Sequence, residues 1–448
     1  MKIAYAVHHL PPSYTGGAEH RALRTARWFQ THGHSARLLC IESITQAKPA
    51  VIDSAADGLF VRRVSFDHRA FADERWRYDN PIIERRTAEF LAEQRPDVFH
   101  LFSGYLMTAG AIRAAHAMAV PIVVSLTDFW FLCPRITLLR SDGALCPRPP
   151  EDPLGCVRCL SEERRRFRWP ARVTPWLANG LWKTLGSWLP PAQAHARLID
   201  DRRQILNRAL ANSNVLICPS RFLHDRFRET GTLGDELVVM RQGLAAPPPT
   251  AHSRPSPHRL IIGYAGQIKP HKGVDLLVDA AKDLARQGYE FTLALYGDET
   301  TDPRYSEQLR RRARGATWLE WRGVYRADRT WDILAELDVV VVPSRWYENS
   351  PNIILEAQAA GVPVVATNLG GMAELVRHDV DGLLFRLNDA RNLSEQLARF
   401  FKEPDLRGRL SANAPVVKTL EQEMDELHAL YRRLVARPEA IAARTAAA

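Results

Sequence analysis

Short runs of β-branched and aliphatic residues alternate with amphipathic stretches along nearly the whole chain, and this rhythm limits the fold more than any other feature. Strands separated by helical stretches assemble parallel sheets from βα units. Lys2–Val7, Arg37–Ile41, Asp97–Leu101, Pro121–Leu126 and Asn214–Cys218 read as strands of one set. A second set begins afresh at Leu260–Ala265 and continues through Phe291–Tyr296, Leu337–Val342, Val362–Ala366 and Gly382–Phe385. Between them Ala245–Arg259 is proline-rich and lacks apolar periodicity, the mark of a semi-rigid linker. The predicted fold class is α/β: two Rossmann-like, doubly wound parallel-sheet domains facing a cleft, where strand-end loops would bind a ligand.

A chain of 448 residues is too long for one ordinary core, so the two sets fit two domains. With 46% hydrophobic and 25% charged residues it is not disordered. The net charge of +9 favours anionic partners: nucleic acid, an acidic membrane surface or phosphorylated small molecules. Histidines and prolines end the first apolar run in MKIAYAVHHLPPSYTGG, unlike a secretory leader, and no window approaches about 18 apolar residues. The expected location is the cytoplasm, with any membrane contact peripheral.

The segment richest in chemistry is Val341–Thr367, VVPSRWYENSPNIILEAQAAGVPVVAT. A buried strand ends at Pro343, and a helix is expected to start with Ser350 as cap and Pro351 at its first position. Such a helix start offers free N–H groups to phosphate oxygens. Glu348 and Glu356 lie eight positions apart, about 80° and roughly 12 Å on a continuous helix. They are therefore not a close carboxylate pair, and each suits hydroxyls on a different part of one elongated ligand. The plainer alternative is a solvated helix bearing two surface glutamates.

In Leu260–Leu277, LIIGYAGQIKPHKGVDLL, a strand, a glycine-bounded loop and a helix place Lys272 to reach a phosphate. Neither a Walker A loop nor GxGxxG occurs, which argues against a P-loop ATPase and a nicotinamide enzyme. Tyr14-Thr15-Gly16-Gly17-Ala18-Glu19 joins the first strand to a helix, where glycine permits close backbone approach to a ligand. Gly370-Gly371 opens another helix and is equally read as a tight turn.

Cys133, Cys146, Cys156 and Cys159 meet the ligand count of a structural zinc site, although only one pair has the short Cys-x2-Cys spacing. The alternatives are reduced thiols or a labile disulfide. Arg158–Pro190 interleaves basic residues with Trp169, Trp176, Trp182 and Trp188, a composition suited to an anionic bilayer interface. A helical hairpin burying its tryptophans is the alternative. No nucleic-acid motif accompanies them.

Glu348-x7-Glu356 in its PSRWYENSPNIILEAQAAGVPVVAT setting resembles the hallmark of the GT4 glycosyltransferases, the group 1 family of GT-B fold. The resemblance implies a retaining transferase that moves a sugar from a nucleotide-diphosphate-sugar to an acceptor hydroxyl in cell-surface polysaccharide or glycolipid synthesis, needing no metal or other cofactor for catalysis. It implies that Glu356 holds the ribose and Glu348 the donor sugar, with Asn349 and Ser350 near the β-phosphate. Lys272 would neutralise the diphosphate, while Gln267 stands where the family usually has arginine. Gly297 in Tyr296-Gly297-Asp298 would line the donor site, Tyr325 in Arg322-Gly323-Val324-Tyr325 would pack near the base, and Gly16 and Gly17 would meet the diphosphate. His100 matches a family histidine that contacts donor sugar or acceptor, with a packed core histidine as the alternative. Thr127 replaces the histidine of the related His-Asp-Phe-Trp motif, which leaves no assigned general base.

The implied domains are 1–245 for the acceptor, with an insertion at about 133–200, and 246–417 for the donor. A helix in 418–448 would cross back to the first. Expected partners are a nucleotide sugar, a glycan or lipid-linked acceptor, and an anionic membrane at 158–190, but no nucleic acid. An epimerase of the same fold and a silent carbohydrate-binding protein are the rival readings.

Overall fold

The computed structural model describes the chain apart from residues 12–15, 46–47, 57, 72, 165–172, 175–179, 181, 183, 185–187, 232–233, 235, 246–258 and 437–448. The linker prolines, Tyr14, Thr15, Trp169 and Trp176 thus lie outside the described residues. Two units emerge: Met1–Pro219 with Leu223–Met240 and Met424–Ala448, and Ser220–Phe222 with Arg241–Glu423.

The first unit contains β1 (Lys2–His8), β2 (Ser35–Ser43), β3 (Ala50–Ala56), β4 (Leu59–Phe66), β5 (Val98–Phe102), β6 (Ile122–Ser125), β7 (Val215–Cys218) and β8 (Glu236–Val239). Their order is β3-β4-β2-β1-β5-β6-β7-β8, all neighbours parallel except β3 and β4. The sequence reading found neither β3, β4 nor β8. β3 is an edge strand with Val51 and Ile52 exposed, and β8 is only partly buried, so neither is the continuous apolar run that marks a buried parallel strand.

The second unit contains β9 (Leu260–Ala265), β10 (Phe291–Tyr296), β11 (Leu319–Gly323), β12 (Val339–Val342), β13 (Val364–Thr367) and β14 (Gly382–Phe385), all parallel, in the order β11-β10-β9-β12-β13-β14. Successive side chains alternate between its two faces, as a strand's period of two requires. Val339 and Val341 enter one core with Leu277 and Leu284 of helix Val274–Arg286 and Leu393 and Leu397 of helix Ala390–Lys402. Val340 and Val342 enter the other with Ile354 and Leu355 of helix Asn352–Ala359. Both faces are therefore covered, and all four valines are 5% exposed or less.

The boundaries differ from expectation. Residues 241–244 leave the first unit before the prolines because they pair within the second: Leu244 N–H donates to Lys418 O at 3.0 Å, Leu420 N–H to Leu244 O at 2.8 Å, and Gly243 N–H to a Glu423 carboxylate oxygen at 2.8 Å. Helix Leu420–Val435 buries Met424, Leu427, Leu430 and Tyr431, and from Met424 onward the chain belongs to the first unit.

Candidate functional site

Strand order in the second sheet reverses between β9 and β12, and at such a switch point the loops after the strands' carboxyl ends diverge and leave room for a ligand. Both loops run into helices without a side-chain cap. The β9 loop enters helix Val274–Arg286 at Gly273, and the β12 loop enters helix Asn352–Ala359 at Pro351. Ser350 is therefore not the cap that its composition suggested, since proline holds that position and no side chain accepts from this helix start. Gly273 has φ of +70°, and a Cβ there would collide with the Pro343 carbonyl oxygen. The loops are also joined by Arg345 N–H to His271 O at 2.8 Å.

This close approach brings together two residues 76 positions apart in sequence. Lys272 Nζ lies 2.6 Å from Glu348 Oε1, which also accepts from Ser344 Oγ at 2.8 Å and Trp346 Nε1 at 2.7 Å. Lys272 Nζ stands 5.0 Å from the centre of the Trp346 ring. Burial works to raise the Glu348 carboxyl, but the Lys272 ammonium and the hydrogen bonds outweigh it and hold the group below the ordinary carboxylate range. His271, beside the Trp346 ring at 4.6 Å, is pushed down to about 4 by burial and then by Lys272, so it is neutral at pH 7. All three bonds to Glu348 fall on Oε1, and Oε2 meets no donor among the described residues, which leaves it able to accept from a hydroxyl.

Sequence reading named Glu348 and Lys272 separately, as sugar and phosphate contacts, and did not foresee their pairing. It missed Ser344 and Trp346, whose signal is their place four and two residues before Glu348 on the same loop. Asn349 and Ser350 follow on that loop. Gln242 Nε2 donates to Ser350 O at 3.1 Å and to Asn352 Oδ1, bracing the segment. Glu356 is half-buried more than a turn beyond. It acts electrostatically on Tyr325, whose hydroxyl burial, and then Glu356, push up to about 12, so these two expected residues do share one locality. Gly297 follows the last residue of β10, where a Cβ would strike Gly266 O and Ile268. Gln267 is exposed, and its backbone carbonyl accepts from Tyr264 OH at 2.7 Å.

In the first unit the corresponding reversal lies between β1 and β5. Gly16 precedes helix Gly17–Thr31, and a Cβ on it would collide with the Glu19 carboxyl, whereas one on Gly17 would meet nothing within 4 Å. Glu19, which burial pushes upward, lies 3.6 Å from His8, which burial pushes down to about 3. Asp128, next to Thr127, accepts from Ser103 Oγ at 2.9 Å and Trp130 N–H at 2.8 Å. The sequence reading did not single out His8 or Asp128.

His100 is a correction. It lies within β5 at 1% exposure, with one ring nitrogen hydrogen-bonded to Tyr431 OH, the other to Ser125 Oγ at 2.9 Å, and its ring stacked on Phe102 at 4.2 Å. Both nitrogens are occupied inside the core, so the packed histidine replaces the ligand contact. The zinc expectation also changes. Helix Pro153–Ser161 sets Cys156 and Cys159 three positions apart on one face, and all four cysteines line one cavity of 260 Å³ as free thiols. Among the described residues no group of three or more His, Cys, Asp or Glu side chains is placed to hold a metal ion. Most of 158–190, the membrane segment of the sequence reading, lies outside the described residues; of its tryptophans Trp182 packs beside Cys156 and Val157, and Trp188 is 81% exposed. Among the described residues no helix is long and apolar enough to cross a membrane.

Two family models cover the chain: a glycosyl transferase 4-like domain over residues 16–243 and glycosyl transferases group 1 over 259–403. The D-inositol 3-phosphate glycosyltransferase of Jonesia denitrificans is 34% identical over 420 residues, 85% of this chain and 91% of that protein. The alpha-D-kanosaminyltransferase of Streptomyces kanamyceticus is 27% identical over 184 residues, 39% of this chain and 46% of that protein. With the first relatives matched, the chain spans about half their length, 56% and 46%. The Anabaena protein Alr3699/HepE, solved in complex with UDP, superposes with a TM-score of 0.63 at 17% identity, over 97% of this chain and 100% of that one. The chain belongs to the group 1, GT4-type glycosyltransferase family, and its fold is GT-B.

Proposed function

We propose that the protein transfers a sugar from a nucleotide-diphosphate-sugar to an acceptor hydroxyl with retention of anomeric configuration, in the building of a cell-surface polysaccharide or glycolipid. The observation that carries this reading is the Lys272–Glu348 pair at the switch point of the second sheet, beside two helix starts without side-chain caps. Lys272 has one hydrogen-bond acceptor among the described residues, so two of its N–H bonds remain for a diphosphate. Glu348 Oε2 accepts from a donor-sugar hydroxyl, Glu356 from the ribose, and Asn349 and Ser350 lie near the β-phosphate. The Anabaena protein Alr3699/HepE, which shares this fold, is solved in complex with UDP, and that supports a nucleotide as ligand.

In the proposed reaction the bond from the anomeric carbon to the diphosphate oxygen breaks. The acceptor oxygen bonds to that carbon from the same face, and its proton passes to the departing phosphate oxygen. Lys272 and the helix N–H groups stabilise the charge that develops on the diphosphate, which is where preorganised donors lower a barrier most. The step as written takes its electrostatic stabilisation from the chain's own groups. No protein nucleophile and no resident cofactor enter it.

The test is calorimetric titration of UDP-, GDP- and ADP-sugars into the parent protein and its Glu356→Gln variant, followed by NMR of the product's anomeric configuration. Absence of binding by all three donor classes, or inversion in the product, would overturn the reading. Donor incubated alone distinguishes an epimerase, which would alter the nucleotide sugar without acceptor.

A further inference from the structure

The first unit contains a cavity of 300 Å³ at the carboxyl ends of β5 and β6, in the size range of about 300–1,000 Å³ that holds small ligands. Tyr105 and Trp130, on the loops that follow these strands, form part of its wall, and Phe71, Trp76 and Arg77 form another part. Tyr105 meets His8, at the end of β1, edge-on at 5.2 Å, which ties the cavity to the sheet's own reversal point. The Phe71 and Trp76 rings lie 5.5 Å apart at 70°. Aromatic faces of this kind pack against the C–H faces of sugar rings.

Arg202 also lines this cavity, and it is out of place as a structural residue. It is 6% exposed, donates to the Trp130 carbonyl oxygen, and holds its guanidinium 5.1 Å from the Trp130 ring centre. Among the described residues it makes no ion pair, although a guanidinium taken out of water ordinarily requires a carboxylate or phosphate to offset several kcal/mol of lost hydration. Its neighbours have other partners. Asp201 accepts from Tyr78 OH at 2.9 Å and lies 3.6 Å from Arg75, while Asp128, which feels the Arg202 charge without forming an ion pair with it, gives its hydrogen bonds to Ser103, Thr127 and the Trp130 N–H. The other nearby titratable groups, Cys133 and Cys156, are free thiols, and Arg203 adds like charge. His68, which burial and then Arg77 hold below the ordinary imidazole range, Glu74 and Arg77 complete the titratable lining, and the single carboxylate among them is exposed. A buried planar fork of donors beside an aromatic wall suits bidentate capture of an oxyanion joined to a sugar ring.

We propose that this cavity is the acceptor subsite and that it selects a sugar bearing an anionic substituent, a phosphate or a carboxylate, bound by Arg202. The assignment as acceptor rests on the transferase reading above. The charge selectivity rests on the cavity alone.

The test uses the full chain and four probes: glucose 6-phosphate, glucuronate, glucose and inorganic phosphate, each titrated into the parent and Arg202→Met proteins. At least one of the two charged sugars is expected to bind tenfold or more tightly than glucose, and more tightly than inorganic phosphate. Which of them binds identifies the anionic group. Arg202→Met should abolish that preference while its thermal midpoint stays at or above the parent's, because the substitution removes an unpaired buried charge. Should Arg202→Met fail to fold, Arg77→Gln and Trp76→Ala at the cavity wall take its place, each expected to weaken the charged sugar fivefold or more. Equal binding of glucose and the charged sugars, undiminished charged-sugar binding in Arg202→Met, or, where that variant does not fold, in both wall variants would overturn the proposal. Inorganic phosphate binding as tightly as glucose 6-phosphate would remove the sugar from it. Nucleotide-sugar affinity, measured on the same preparations, should be unchanged by Arg202→Met; its absence from the parent would refute the transferase reading and with it the acceptor assignment, leaving the charge selectivity of the cavity to stand or fall on the four probes.

Discussion

Replacing Lys272 with methionine isolates the electrostatics of the donor loop, because methionine keeps most of the aliphatic stem against Trp346 and removes only the charge. The ammonium and the Glu348 carboxylate are 2.6 Å apart, with side-chain exposures of 20% and 12%. At that distance the gross Coulomb attraction is about 6 kcal/mol for an effective dielectric near 20. Much of it offsets the hydration both groups lose. Removing one partner leaves Glu348 with Ser344 and Trp346 but no counter-charge, a change that costs about 3–5 kcal/mol when fully buried. The residual exposure lowers the expectation to about 2–3 kcal/mol at pH 7.

For a unit of this size such a loss shifts the thermal midpoint by about 5–10 °C. The shift must depend on pH in a particular sense. In the parent the folded-state pKa of Glu348 is depressed, so its contribution is full above the unfolded carboxylate pKa and is lost as pH falls through the folded value. In the variant only the Ser344 and Trp346 hydrogen bonds oppose burial, so the protonated acid is favoured more than in the parent. The gap between the two proteins should therefore close as pH falls toward 4. Differential scanning calorimetry from pH 4 to 8 measures it, and a gap that is constant across the range, or smaller than about 1 °C at pH 7, would refute the argument.

Three other substitutions probe the remaining claims. Glu356→Gln removes a charge-assisted acceptor but keeps the shape of this half-buried side chain, so nucleotide-sugar affinity should fall by about tenfold or more, with the thermal midpoint moving less than about 2 °C; calorimetric titration and scanning read the two. Gly273→Ala forces a methyl group against the Pro343 carbonyl at a φ of +70°, and chemical denaturation should show a loss of at least about 2 kcal/mol. Tyr431→Phe strands a ring nitrogen of His100 in the core, and should cost about 1–3 kcal/mol of stability while turnover number is retained; a lost turnover number with intact stability would return His100 to the reaction.

The alternation of strands and helices was legible because buried parallel strands are continuous apolar runs, as Val339–Val342 shows with all four residues buried. β11, LEWRG, was not, since its exposed and half-buried residues alternate at the sheet edge and carry charge. The Glu348 and Lys272 positions could be read from local motifs, but their pairing depends on β9 and β12 becoming neighbours, a long-range fact no local pattern encodes. Arg202 escaped notice for the same reason. On helix Pro190–Ala211 it is one of several arginines, and its burial against Trp130 arises only from packing across 72 positions. Ser350 failed as a cap because its position before Pro351 fits a cap only if the proline is already helical, and here the helix begins one residue later.

The chain leaves its first unit at Met240 and re-enters it at Met424, and this excursion has a consequence for how the protein is made. Met424, Leu427, Leu430 and Tyr431 fill the first unit's core, and the hydroxyl that engages His100 arrives 331 residues after it. At roughly 5–20 residues per second, a ribosome delivers that partner about 15–70 s later. For all that time the nascent first unit carries an open apolar slot, while the 183 residues of Arg241–Glu423 are synthesised with nearly all their own partners to hand. The unit begun first is therefore the one completed last, and a chaperone that shields the slot beside Phe29 and His100 would find its client there.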